Sequence, residues 1–392
     1  MQAVKPELLA PGGSLEKIKI ALLYGADAVY TGGTVFGLRK FADNLDLDEL
    51  KEALDFAHSR SKKIYLVLNG FAHNSDIEKL KPYLDELQTL SLDGFIISDM
   101  GVMQLAKERT TIPLHVSTQA SVTNWIGCKF WKDAGAKRVI LAREVTIDEC
   151  REIKENLEIE LEVFIHGAMC ASYSGKCVIS NYTSGRDSNR GGCVQSCRHL
   201  FDIQEGDSTH IMNAKDLMAI RQVPDLFKAG LDSLKIEGRM KSNMYVANCV
   251  SIYRDAIDQY AQSPKTYSEF IQKFESELND VSNRTFASGG LEHRPSGESI
   301  HYAFSGYAKH TDFVGTVKEV LPGKGVFVEV KVPFKKGDIL ELFSQTHQSK
   351  SRQVDELFDL SGQSLEAARS SSMVWLPWID GVQAYDIVRK KV

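Results

Sequence analysis

The chain has 392 residues, 25% charged and 43% hydrophobic, with a formal net charge of −5; this suits a globular protein with room for two domains and a large buried core. No apolar stretch approaches the roughly 20 residues that cross a bilayer, and the N-terminus lacks the basic-then-apolar pattern of a secretory signal, so no membrane association and a cytoplasmic location are expected. The acidic balance offers nucleic acid no global attraction, so any such partner must meet a local basic patch.

The first two-thirds of the chain alternates short aliphatic runs with amphipathic stretches. The strand candidates are Glu7–Ala10, Ala28–Tyr30, Lys63–Asn69, Gly94–Asp99, Leu114–Gln119, Arg138–Arg143, Leu161–His166 and Ser233–Arg239. Between them lie helical patterns, with Leu47, Leu50, Leu54 and Ala57 on one face and Ile77, Leu80, Leu84 and Leu87 on another. Asp76 and Thr146 read as N-caps, and Gly25, Gly135 and Gly230 stand where helices should stop. Alternating strands and helices imply a parallel sheet, and eight units in this length predict a TIM-like (β/α)8 barrel, with an open doubly wound sheet as the alternative.

In the eighth strand Ser233, Lys235, Glu237 and Arg239 alternate with Leu234 and Ile236, which leaves a polar face for a barrel interior. The strand ends carry Asn69, Asp99, Gln119, Glu144, His166 and Glu237, at the end where barrel enzymes place their active sites. The plainer reading is that strand ends become polar on leaving the core. The expected cavity has Glu237, Arg239, His166 and Glu144 facing it as catalytic groups. Asn69, Gln119 and Lys235 line it, and Lys235 sits below Glu237.

After the seventh strand the connection is too long for a barrel loop. The insertion, 168–215, holds Cys170, Cys177, Cys193 and Cys197, with gaps of six, fifteen and three residues, and ends in a hairpin, His199–Gln204 and Thr209–Met212, around Glu205-Gly206-Asp207-Ser208. A helix is expected to follow near Asp216. Four thiolates can hold a zinc ion or an iron–sulfur cluster. Only Cys193 and Cys197 make the tight pair that zinc sites favour, and the wide gaps suit a bulkier cluster. Two other readings stand beside it: a catalytic Cys170 thiol paired with His166, and four unrelated small hydrophobes. Cys150 and Cys249 continue apolar helical stripes and read as core. Arg186, Arg190 and Arg198 could offset an anionic cluster, grip a dicarboxylate or meet phosphates, or be solvated loop charges.

The barrel, 1–265, is followed by a connecting helix marked by Phe270, Ile271, Phe274 and Leu278 in a linker region, 266–304. From 305 to 392 short β runs separated by Gly-bearing turns predict a small all-β barrel module. Lys318, Lys324, Lys331, Lys335 and Lys336 there form either a basic face or a soluble sheet surface.

The segment Glu162–Ser180, EVFIHGAMCASYSGKCVIS, resembles the signature of the collagenase-like peptidase U-thirty-two family, with Glu162, Phe164, Gly167, Ala168, Met169, Cys170, Gly175, Cys177, Ile179 and Ser180 at the matching positions. PELLAPGGSLEKIKIALLYGADAVYTGG, FGLRKFADN, KIEGRMKS and SNRTFASGG extend the likeness along the chain. The resemblance implies hydroxylation of the tRNA wobble uridine at carbon 5, linked to prephenate and to a 4Fe-4S cluster. Its ligands map onto Cys170, Cys177 and Cys193, with Cys197 as fourth. The implied partner is the tRNA anticodon arm, with a paralogous family member as a further partner. The alternatives are a peptidase of unassigned mechanism, and a hydroxylase subunit for ribosomal RNA or a quinone precursor. The peptidase lacks a His-Glu-x-x-His or Gly-x-Ser-x-Gly motif.

Overall fold

The computed structural model describes residues 5–34, 44–204, 207–281, 284–303 and 310–392. Most of FGLRKFADN, the Glu205-Gly206 turn tip, the start of SNRTFASGG and the expected 304/305 domain boundary lie outside them.

Seven parallel strands run in chain order: β1 (Glu7–Pro11), β2 (Ala28–Gly32), β3 (Lys63–Leu68), β4 (Gly94–Ile97), β5 (Leu114–Val116), β6 (Arg138–Ile140) and β7 (Glu160–Gly167). The eighth barrel strand, Ser233–Ile236, pairs with β7 on one side and β1 on the other, closing the ring. The barrel is therefore closed, and the open sheet is ruled out. All of β2 and five residues of β3 are buried, as a parallel sheet covered by helices requires.

Helix starts follow local chemistry. Asp46 with Glu49 and Thr146 with Glu149 form capping boxes on α2 (Leu47–His58) and α6 (Ile147–Asn156). Leu50, Leu54 and Ala57 bury the expected face of α2, while Leu47 is exposed in its first turn. Asp76 is not an N-cap. It is the third residue of α3 (Asn74–Leu87), whose N-cap is His73, and its carboxylate accepts from the His73 backbone N–H at 2.9 Å. Gly135 ends α5 (Trp125–Ala134) in the left-handed conformation that glycine permits. Cys128, Cys150 and Cys249 are fully buried in the core.

The barrel floor is ionic. Arg138 Nη1 lies 2.6 Å from Glu7 and 3.1 Å from Glu162, and Lys235 Nζ lies 2.9 Å from the other Glu162 oxygen. Tyr65 donates to Glu7 at 2.8 Å. Burial works to raise the Glu7 carboxyl, but Arg138 and Lys63 outweigh it and hold it below its ordinary value.

Beyond β7 the chain forms the cysteine loop, then the hairpin Phe201–Gln204 with Asp207–Thr209. Instead of a helix at Asp216, a short strand, Asp216–Met218, runs antiparallel to the end of β7, and the helix begins only at Val223. The C-terminal module is a six-stranded antiparallel sheet plus a two-stranded ribbon, curled at bulges in its long strand Thr311–Leu321 around a valine-rich core. It docks on the barrel's helical side: Tyr24 donates to the Phe343 carbonyl at 2.6 Å, and Asn243 to Thr316 at 3.1 Å.

Candidate active site: a cysteine-lined cavity at the barrel mouth

The cysteine loop folds over the C-terminal end of the barrel because its turn at Ser174 is tied down on three sides. The Ser174 backbone N–H donates to Glu144 at 3.0 Å, its hydroxyl accepts from the Arg143 N–H at 3.0 Å, and its carbonyl accepts from the Ser121 hydroxyl. Gly175 follows at φ +73°, and a Cβ there would sit 2.0 Å from the Gln119 carbonyl oxygen, so only glycine permits this approach. Further along, Arg190 reaches Asp76 at 2.5 Å and the Phe71 carbonyl, while Arg198 donates to the Met169 carbonyl at 3.0 Å.

Beneath the loop lies a cavity of about 160 Å³. Cys170, Cys177, Cys193 and Cys197 all line it, together with Asn69, Gln119, Lys235, Glu237 and Arg239 from the barrel. Lys235 pairs with Glu162 and lies 4.3 Å from the Tyr30 ring centroid. Arg239 Nη2 donates to Asn44 at 2.8 Å, and Gly32 leaves the room its guanidinium occupies. Asn69 gives its amide N–H to Ser117 at 3.0 Å. The Oδ1 of Asn69 and the Oε1 of Gln119 are buried without a hydrogen-bond partner. Burial pushes the Cys197 thiol up to about 11, and the nearby Cys170, Cys193 and Cys177 add to this against Arg198.

Two expected members are absent from the cavity lining. His166 would face inward by simple alternation, but the β7 pairing slips between Lys235 and Ile236, so His166 stands opposite Ile236. One extra residue turns a side chain to the other face of the sheet. His166 accordingly packs among Tyr245, Tyr253 and Phe286 on the helix side, and burial pushes its imidazole down to about 3. It does not form a dyad with Cys170. Glu144 instead holds the loop at Ser174. Asp99, from the same polar ring, caps α4 (Met100–Arg109) at Val102 N–H.

The residue that sequence reasoning missed is Arg143. It lines the cavity, lies 3.5 Å from Cys170 Sγ through Nη1 and 3.1 Å from Glu237 through Nη2, and stacks 4.2 Å over the Phe164 ring. Its position at the end of the expected sixth strand was the available signal.

Of the arginines proposed for substrate contact, Arg190 is committed to the Asp76 clamp and Arg186 is exposed. In the C-terminal module Lys318, Lys331 and Lys336 are paired with Glu16 and Glu329, Glu329, and Glu366 respectively, so these three belong to a charge-balanced surface rather than a free basic face. Among the described residues, no three His, Cys, Asp or Glu groups converge tightly enough to ligate one metal ion. The four cysteines share the lining of one cavity. No helix is long and apolar enough to cross a membrane among the described residues.

The chain is similar to known proteins over nearly its whole length. It is 43% identical to the tRNA hydroxylation protein P1 of Bacillus subtilis over 93% of this chain and 90% of that protein. With the tRNA hydroxylation protein P of Escherichia coli it shares 32% identity over 95% and 94% of the two chains. A collagenase of Porphyromonas gingivalis is 31% identical over 79% of each. The model of peptidase family U32 matches residues 13–301, and that of the peptidase family U32 C-terminal domain matches 309–389. On this similarity, carried by the barrel and the β module alike, the chain belongs to peptidase family U32.

Proposed function

We propose that this chain is a tRNA-hydroxylating enzyme that converts the wobble uridine to 5-hydroxyuridine, using a 4Fe-4S cluster held by Cys170, Cys177, Cys193 and Cys197. The observation that carries the reading is the gathering of all four thiols on one cavity with Lys235, Glu237 and Arg239 at the catalytic end of a closed barrel. Four thiols on one cavity can supply the four thiolate ligands of such a cluster. The tRNA hydroxylation proteins similar to this chain support the substrate.

Such a cluster supplies one-electron chemistry. The chain's own residues bind and orient. Arg143, Lys235 and Arg239 line the cavity with forked and point charges, and a dicarboxylate such as prephenate would share Arg143 with Glu237 and Lys235 with Glu162. Exposed Arg186 on the loop is placed to meet phosphates of the anticodon arm.

The peptidase reading draws on the similar collagenase, but the one nucleophile pair the sequence offered it, Cys170 with His166, is not formed because His166 packs on the helix side. Deletion of the gene, followed by mass spectrometry of tRNA nucleosides, tests the proposal. Loss of 5-hydroxyuridine derivatives is expected, and an unchanged nucleoside profile overturns it.

A further inference from the structure

Tyr173 is 62% exposed, yet it lines the same cavity as the four cysteines. The next residue, Ser174, is buried and held through its backbone N–H, its hydroxyl and its carbonyl, and Gly175 is pressed against the Gln119 backbone. Among the described residues no other ring pairs with Tyr173. The backbone that carries this large flat side chain is thus held at a cavity mouth, and the ring lies open. Rigid presentation lowers the ordering cost of binding there.

Deeper in the cavity, the Asn69 Oδ1 and Gln119 Oε1 are buried acceptors without donors. Buried polar atoms are nearly always satisfied, so such a pair calls for a ligand or water that donates. A flat ring bearing an N–H donor, delivered with its ribose hydroxyl, meets both demands at once: a face to stack and hydrogens to give.

We propose that Tyr173 is the stacking platform for the target pyrimidine as it leaves the RNA stack, with Asn69 and Gln119 accepting from its one ring N–H and from its ribose hydroxyl inside the cavity. The inference rests on the RNA-modifying reading above and adds the residues that receive the base. Base–aromatic stacking tolerates any base, so Tyr173 supplies capture and the two amides supply selection.

The test is a binding cycle with full-length, cluster-loaded protein and an anticodon stem-loop RNA carrying either uridine or an abasic ribose at the wobble position. Y173F should bind the uridine RNA as the wild type does. Y173A and Y173L should each bind it roughly 5- to 100-fold more weakly, the span of one lost stack. The abasic RNA should bind all four proteins alike. Iron content equal to wild type shows that the loop is intact in each variant, and Y173L retains bulk if Y173A does not load. Equal affinity of wild-type protein for the two RNAs, or an equal loss on both in Y173L, overturns the stacking role and leaves the enzyme assignment standing. If the wild-type protein binds neither RNA, the tRNA reading itself fails, and this inference fails with it.

Discussion

Arg143 donates through Nη1 toward Sγ of Cys170 at 3.5 Å, and its other nitrogen grips Glu237. One guanidinium therefore links the cysteine loop to the wall of the barrel. An N–H aimed at a ligand sulfur, and a positive charge beside an anionic cluster, both favour the reduced state. R143M is expected to retain the iron of the proposed cluster, shift its potential downward in a redox titration, and lose roughly 10- to 100-fold in activity, the usual cost of an outer-shell partner. An unchanged potential would remove Arg143 from that role.

His166 offers a sharp contrast between sequence pattern and fold. Its folded-state imidazole titrates at about 3 against an ordinary 6.5, because burial disfavours the cation. The unfolded chain takes up a proton that the folded chain refuses. The stability is fully present above about pH 6.5 and is lost as the pH falls toward 3, by at most about 1.4 kcal/mol per pH unit. H166F fits the aromatic surroundings and should flatten that acid sensitivity in urea titrations. It should also spare activity, in place of the roughly 10²- to 10⁴-fold loss that follows removal of a general base.

The ionic floor predicts a different kind of sensitivity. Glu162 is fully buried between Arg138 and Lys235. Removing one member of such a network strands the others, at about 3–5 kcal/mol. E162A should therefore lower the melting temperature by on the order of 10 °C. R138M should do likewise, because it leaves Glu7 and Glu162 short of their shared cation. A melting point within two or three degrees of wild type for both would mean that the network contributes little.

The clamp between Arg190 and Asp76 should be legible in acid. The hydrogen bond from Arg190 is the main cause that holds the Asp76 carboxyl at about 2 against an ordinary 3.8. A depressed carboxyl contributes stability that is present above about pH 3.8 and lost as the pH falls toward 2. The pair is partly solvated, so its contribution is modest. Hydrogen exchange across residues 187–192 should run faster in R190A than in wild type near neutrality, and the difference should shrink as Asp76 protonates. Equal protection at neutral pH would remove the clamp from the account.

Much of this architecture is legible in the sequence because strand and helix periods are local. The eight strand cores, the capping box at Thr146 and the left-handed stop at Gly135 follow from residues within a few positions of one another. The same locality explains the failures. The slip that turns His166 outward depends on the eighth barrel strand, Ser233–Ile236, which lies beyond the whole cysteine insertion in the chain. Asp99 and Glu144 look like cavity groups until the helix start and the loop turn that use them are in place. Arg143 carries no motif of its own, and only the fold of the cysteine loop brings Cys170 and Glu237 to its two nitrogens. The lysines of the β module form a basic run in sequence, but Glu16 arrives from α1 (Leu15–Leu23) to neutralise Lys318.

The measurement that bears most directly on the central claim is the tRNA nucleoside profile of a deletion strain complemented with wild-type protein, C170A or C177A. Iron and sulfide are determined on each protein after anaerobic purification. Wild-type protein should carry iron and sulfide near four each per chain and restore 5-hydroxyuridine derivatives, while C170A and C177A should be folded, iron-poor and unable to restore them. Full restoration by the cysteine variants, or an unaltered profile in the deletion strain itself, would contradict the assignment.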